Sequence, residues 1–146
     1  MRVLSLMLMT ATTLLPMTIA QAADDAKTKI ILIGHAPDHA EGTHEYLPDS
    51  ELIAKLLKQT PNVEAIVSDG WPADSETLKG AKAIVVNGKL GGNIIFDKEH
   101  REQIDALLKE GVGIGALHWG TGADLGENGE QWLKTLGGWF NTDFSA

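Results

Sequence analysis

Short apolar segments alternate with amphipathic stretches along most of this chain, and this alternation restricts its fold more than any other feature. The first of these segments, Lys29 to Gly34, is a continuous apolar and β-branched run that ends in glycine, which is typical of a strand buried on both faces. The four segments span residues 29–34, 63–68, 83–87 and 113–117. Buried strands joined by helices form a parallel sheet with right-handed crossovers and a helical layer on each side. We therefore predict a three-layer α/β domain.

Three amphipathic helices are predicted between and after these strands. The first begins at Pro48-Asp49-Ser50 and ends before Pro61, because proline interrupts a helix. The second spans residues 97–110 and the third spans residues 128–136. The side chains predicted to face the sheet are Leu52, Ile53, Leu56 and Leu57 in the first helix, Ile104, Leu107 and Leu108 in the second, and Trp132, Leu133 and Leu136 in the third. The glycine-rich stretch at residues 88–93 is predicted to be a flexible substrate loop.

The first 22 residues have the composition of a secretory signal peptide. Arg2 is their single charged residue, residues 3–19 are apolar apart from threonine and serine, and Ala20-Gln21-Ala22 matches a small-residue cleavage site. A membrane anchor is the alternative, but a proline and several threonines interrupt the apolar run. We therefore predict cleavage after residue 22, a domain at residues 23–146 that does not associate with the membrane after cleavage, and a secreted or periplasmic location.

Composition excludes several classes of function. The chain has 12 basic against 20 acidic residues and a net charge of −8, so no nucleic-acid partner is expected. It contains no cysteine, which removes disulfides, thiolate metal sites and a cysteine nucleophile. Any chemistry must therefore come from histidine, carboxylate or hydroxyl groups.

Histidines are concentrated directly after the first predicted strand, where residues 35–46 hold three of the five in the chain. The fourth strand ends at His118, and the carboxyl ends of parallel strands meet at one edge of the sheet. We predict His39, His44 and His118 as ligands of one divalent metal such as zinc. Metal-free catalysis by His118 and His44 with Glu45 is the alternative, and histidines without a functional role are a third.

Other residues at the strand ends are predicted to bind substrate. They are Asp69, Trp71, Asn87 and Trp119, the two tryptophans serving as stacking platforms for a sugar ring. Trp132 and Trp139 are predicted to lie in the core. His100 is predicted to be a solvated surface residue in the first turn of the second predicted helix.

Several motifs together resemble the ThuA-like (trehalose utilisation) family over residues 29–146. These are the His-x-x-Gly-x-His-Glu-Tyr stretch at His39–Tyr46, the Gly70-Trp71-Pro72 turn, the Leu117-His118-Trp119 strand end and the segment from Leu136 to Phe140. The resemblance implies a flavodoxin-like, three-layer α/β/α parallel sheet of the class I glutamine amidotransferase-like superfamily. It also implies that the chain is short at its C-terminus, since domains of this family run well past the Leu-Gly-Gly-Trp segment.

The same resemblance implies a role in carbohydrate catabolism. The superfamily carries its cysteine nucleophile on a sharp turn after a Gly/Ala-rich strand, and His118 stands at that turn here, so amidotransferase activity is excluded. ThuA-like proteins are associated with trehalose and related disaccharides through 3-keto-sugars, which makes a small carbohydrate the expected partner. Proton abstraction next to a sugar carbonyl, assisted by histidine or a metal, is the predicted reaction. A non-catalytic carbohydrate-binding domain and an inactive fragment are the alternatives, and a homo-oligomer is left open.

Overall fold

The computed structural model describes residues 27–141 and 143–144, so the predicted signal peptide lies outside the described residues. The strands are β1 Thr28–Gly34, β2 Val63–Asp69, β3 Ala81–Asn87 and β4 Gly113–Leu117. The helices are α1 Tyr46–Leu57, α2 Gly91–Ile95, α3 Arg101–Lys109 and α4 Glu127–Leu136, with short 3₁₀ turns at Ser75–Thr77 and His118–Thr121. None of the helices in the described part of the chain is long and apolar enough to cross a membrane.

All four strands are parallel and lie in the order β2-β1-β3-β4, which is a flavodoxin-like topology and confirms the predicted fold class. Gly34 pairs with Asp69 and Asn87 pairs with Leu117, so neighbouring strands end level with each other. The strand order reverses between β1 and β3, and ligands of such sheets bind outside the strand ends at that point. The fold therefore places the segments after β1 and β3 where a ligand is expected.

The sheet is covered on both faces, as predicted. Ile31 and Ile33 of β1 join the larger core beneath α2, α3 and α4, whereas Leu32 packs with Ala54 of α1 on the opposite face. Trp132 is fully buried in the larger core, and Trp139 packs against it. The predicted inward faces of the later helices are largely confirmed by Ile104, Leu107, Leu108 and Leu136, all of which belong to or pack against this core.

Helix α1 differs from the sequence prediction in its first residue and in part of the face that it turns toward the sheet. It begins at Tyr46 rather than at Pro48, because proline lacks only an N–H that the first helical turn does not use. The residues it buries fully are Tyr46, Ser50 and Ala54. Ile53 and Leu57 pack against the core as predicted, whereas Leu52 and Leu56 are 56% and 55% exposed. The hydroxyl of Ser50 donates to the backbone oxygen of Tyr46 at 2.7 Å, which satisfies this buried polar group.

The later helices depart from prediction in two places. Leu133 is 48% exposed because α4 turns Trp132 into the core instead. Helix α3 begins at Arg101, since residues 97–100 form a turn in which Asp97 accepts the backbone N–H of Glu99.

The glycine-rich stretch after β3 was predicted to be a flexible loop, but its second half forms the packed start of α2. Gly91 and Gly92 are buried in α2, and a Cβ at Gly91 would lie 2.2 Å from the backbone oxygen of Gly120. A Cβ at Gly92 would lie 2.8 Å from the ring of Trp132. Glycine is required at both positions because α2 lies directly against the turn after β4 and against α4.

Candidate functional site

The segments after β1, β3 and β4 meet at one edge of the sheet, and His35 joins the first two. The Nδ1–H of His35 donates to the backbone oxygen of Ala36 at 2.6 Å, and its Nε2 accepts the backbone N–H of Lys89 at 2.8 Å. These two bonds require a neutral imidazole. The ring lies against Gly88, where a Cβ would come within 2.5 Å of it. His35 therefore holds the end of β3 against the end of β1 and is not a candidate for catalysis.

Asp38 is the centre of the polar cluster at this edge. Its Oδ1 accepts hydrogen bonds from Nδ1 of His39 and Nδ1 of His44, both at 2.8 Å. The hydroxyl oxygen of Tyr46 lies 3.1 Å from Nδ1 of His44, and the ammonium group of Lys89 lies 3.7 Å from Oδ2 of Asp38. Asp38 was not predicted as a site residue from the sequence, although its position next to His39 in a histidine-rich segment was a usable indication.

The electrostatics of the cluster follow from these contacts. Burial acts to raise the pKa of Asp38, but hydrogen bonds from His39, His44 and Tyr46 outweigh burial and hold that pKa well below its usual range. Burial, together with the neighbouring Asp38 carboxylate, raises the pKa of Tyr46 to about 12. Near neutral pH the cluster therefore contains an ionised carboxylate and a protonated phenol.

His118 is the first residue of the 3₁₀ turn that directly follows β4. Its φ is 50°, in the left-handed region that side-chain-bearing residues rarely adopt, and the residue is exposed. Gly120 allows the turn to pass close to β3, because a Cβ there would lie 2.6 Å from the backbone oxygen of Val86. The ring centroid of His118 is 5.1 Å from that of His44. The backbone therefore holds this imidazole at the sheet edge beside the Asp38 cluster.

An open groove adjoins His118 on the side of the C-terminal segment. It has a volume of about 280 Å³ and is lined by His118, Trp119, Thr121 and Phe140. Trp119 lies between the groove and the cluster. The centroid of its ring is 6.1 Å from that of His44 and 5.2 Å from that of Phe140. The sequence analysis missed Phe140 as a groove residue, because only the pairing of its backbone with Thr121 and Gly122 brings it there.

Two residues predicted for this site have other partners. The side chain of Glu45 accepts the backbone N–H of Gly42 at 2.8 Å, so the carboxylate that holds His44 is that of Asp38. Asn87 is 5% exposed, and its amide donates to the backbone oxygen of Tyr46 at 3.1 Å. Asn87 therefore ties β3 to α1.

Within the described part of the chain, Asp69 and Trp71, which were predicted to bind substrate, share no hydrogen bond or ring contact with the histidines of the Asp38 cluster or with His118. Trp71 contacts residues in and just before α3 instead. Asp69 is exposed at the end of its strand, and the indole N–H of Trp71 donates to the side chain of Gln103 at 2.8 Å. The prediction that His100 is a solvated surface residue is wrong. Its ring stacks on Trp71 with centroids 4.1 Å apart, and its Nε2 donates to the backbone oxygen of Ile94 at 2.7 Å.

Part of the predicted metal site is brought together. Among the described residues, Asp38, His39 and His44 form a group that could hold a metal ion, with one ligand atom from each and all three atoms within 4.8 Å of one another. His118 does not belong to this group, although its ring lies beside that of His44. The structure thus joins two of the three predicted histidines to a carboxylate.

No protein-family model, no curated protein and no solved structure matches the chain. These comparisons therefore identify no family for the chain. The structure shows a parallel four-stranded α/β fold.

Proposed function

We propose that this protein is an exported, ThuA-like enzyme of carbohydrate catabolism that acts on trehalose-type or 3-keto-disaccharides by proton abstraction. The observation that carries the proposal is the position of His118. Its imidazole is held on a left-handed turn, 5.1 Å from His44 and at the mouth of an aromatic groove. Unfavourable backbone conformations of this kind are concentrated at functional sites, because the surrounding structure must hold them in place.

The proposed reaction begins at the carbon next to the ring carbonyl, whose C–H bond the carbonyl acidifies. The imidazole of His118 takes that proton, and the electron pair of the C–H bond forms an enediolate. His44 acts as the electrophile at the developing oxyanion, since Asp38 holds its Nδ1 and stabilises a positive charge on the ring. Isomerisation follows when the neighbouring hydroxyl passes its proton to the oxyanion and the imidazole returns the abstracted proton to the former carbonyl carbon. Expulsion of the glycosidic oxygen, which takes up the proton, gives β-elimination.

The surroundings of the two histidines support a sugar substrate. Trp119 presents an aromatic ring between the cluster and the groove, and a groove of about 280 Å³ can receive part of a sugar. The motif residues that carry the family resemblance, His39, His44 and Tyr46, all belong to the cluster. Resemblance and geometry therefore favour the same edge of the sheet.

The test is turnover of a panel of 3-keto-disaccharides and their parent sugars by the wild type and a His118→Asn variant. Asparagine tolerates left-handed backbone, so the turn is kept while the base is lost. We expect activity to fall by about 10² to 10⁴, the usual contribution of a general base. Asn62→Gly is the matched control, since Asn62 also has a left-handed φ of 61° but precedes β2 at the opposite end of the sheet.

Equal turnover by the wild type and His118→Asn would contradict the assigned base, and no turnover of any sugar by a folded wild type would contradict the reaction. The aromatic groove favours one alternative, a carbohydrate-binding domain without catalysis. In that case sugar binding survives His118→Asn and is lost in Trp119→Ala. Export is tested separately, by sequencing the N-terminus of the protein recovered outside the cytoplasm, which we expect to begin at Ala23.

A further inference from the structure

We propose that Asp38, His39 and His44 form a binding site for a divalent transition metal of the zinc class. Two imidazoles and one carboxylate already converge, since both Nδ1 atoms lie 2.8 Å from the same carboxylate oxygen. This donor set of two nitrogens and one oxygen suits zinc and cobalt, whereas magnesium and calcium prefer oxygen ligands alone. Three protein ligands with an open fourth position are the pattern of a catalytic rather than a structural zinc site.

The distances in the cluster permit an ion after a small adjustment. Zinc bonds of about 2.0–2.2 Å place neighbouring ligand atoms of a tetrahedron about 3.3–3.5 Å apart, so the hydrogen-bonded pairs must separate by roughly 0.5 Å. The ligands can move by this amount because Asp38 and His39 lie in the exposed segment between β1 and α1. The ion takes the place of the two shared hydrogens, and each imidazole stays neutral by carrying its hydrogen on Nε2.

The exposure of the three residues decides where the site is open. The side chain of His44 is 13% exposed and that of Asp38 is 18% exposed, whereas that of His39 is 49% exposed. An ion in the cluster is therefore accessible from the side of His39. Its charge would lie beside His44, where the proposed reaction needs an electrophile, and this part of the inference rests on the proposed function.

Lys89 is expected to lower the affinity of this site for a metal ion. Its ammonium group lies 3.7 Å from Oδ2 of Asp38 and offsets the charge of that carboxylate. A positive charge this close to a divalent ion weakens its binding, although solvent screens the effect because the Lys89 side chain is 47% exposed. We therefore expect Lys89→Gln to bind metal about threefold more tightly than the wild type.

The experiment measures binding of Zn²⁺ and Co²⁺ to the chelator-treated protein by calorimetry and by the visible absorption of Co²⁺, without any sugar present. We expect one ion per chain, and a loss of affinity of more than tenfold in both Asp38→Asn and His39→Gln. His118→Asn is the matched control and should bind as the wild type does, because His118 lies outside the ligand group. His39→Gln changes the most exposed ligand, so it keeps the test independent of folding if Asp38→Asn is unstable.

Three results would overturn the inference. They are absence of binding by the folded wild type, unchanged affinity in His39→Gln, and a loss in His118→Asn as large as that in His39→Gln. The last result would instead support a site made of three histidines. Because binding is measured without substrate, its failure leaves histidine-only catalysis standing, and inactivity of a metal-binding wild type counts against the proposed function alone.

Discussion

Replacement of His118 by glycine should produce a protein that is more stable than His118→Ala, although both variants lack the imidazole. The φ of 50° at this residue is unfavourable for alanine and acceptable for glycine. His118 is exposed, so loss of its ring removes little packing in either variant. The two variants therefore differ chiefly in backbone strain and in the conformational entropy of the unfolded chain.

The expected difference is a balance of these two effects. A side-chain-bearing residue in left-handed backbone costs about 1–2 kcal/mol. Glycine removes this cost, but it loses more conformational entropy on folding than alanine does, which destabilises the glycine variant by about 0.5–1 kcal/mol. The net gain of His118→Gly over His118→Ala is therefore about 0.5–1 kcal/mol, which raises the melting temperature of a domain of this size by about 2–4 °C.

The assay is urea denaturation and thermal unfolding of both variants, followed by circular dichroism. Ala106→Gly on the exposed side of α3 is the control, because the same change in an ordinary helix costs about 1 kcal/mol. The two changes should thus have opposite signs. If His118→Gly unfolds at the same urea concentration as His118→Ala or earlier, the strain at this turn is no larger than the entropy cost of glycine, about 0.5–1 kcal/mol. That result would contradict the expected strain of about 1–2 kcal/mol, and strain could not be used as an argument for the function of the turn.

Three further predictions concern the cluster and the packing around it. Tyr46 is the single tyrosine of the chain, so its ultraviolet titration should give a pKa of about 12 rather than 10, and Asp38→Asn should lower that value. Folding stability should accordingly decrease as the pH rises above 10, where the unfolded phenol ionises first, as alkaline denaturation would show. Gly91→Ala should lose about 1–3 kcal/mol in urea denaturation through overpacking, whereas Gly138→Ala, with open space around the added methyl group, should lose none of this. Leu52→Gln should change the free energy of unfolding by less than about 0.5 kcal/mol, because more than half of Leu52 is already exposed; a larger loss would show that another surface covers it.

The strands were predictable because each contains a short run of apolar residues that lies between glycine-rich or polar stretches. The signal is clearest in β1, where residues 31–34 are all buried. The predicted segment 29–34 is observed as β1 Thr28–Gly34, and 113–117 is observed unchanged as β4. The parallel direction of the strands also follows from the sequence, since helices are predicted between the first and second and between the third and fourth strands. The order of the strands in the sheet was expected only from the family resemblance. The edge of the sheet where a functional site is expected could therefore be predicted from the sequence alone.

The face of α1 was only partly predictable in this way. Of the four leucine and isoleucine residues predicted to face the sheet, Ile53 and Leu57 pack against the core. The helix also turns Ser50 and Ala54 inward and leaves Leu52 largely exposed. The reason is non-local, because Asn87 on β3 donates to the backbone of Tyr46 and so brings the polar start of the helix against the sheet. Hydrophobic periodicity contains no information about a partner that lies 41 residues away.

The sequence alone predicts that His44 and His118 lie at one edge of the sheet. Each histidine follows a predicted strand, and parallel strands direct their carboxyl ends to the same side. Tertiary structure alone chose the partners of those residues. The loop after β1 folds back so that Asp38, rather than Glu45, holds His44, and packing beneath α2 stacks His100 on Trp71. Such contacts depend on loop conformation and helix packing, which side-chain spacing along the chain does not encode.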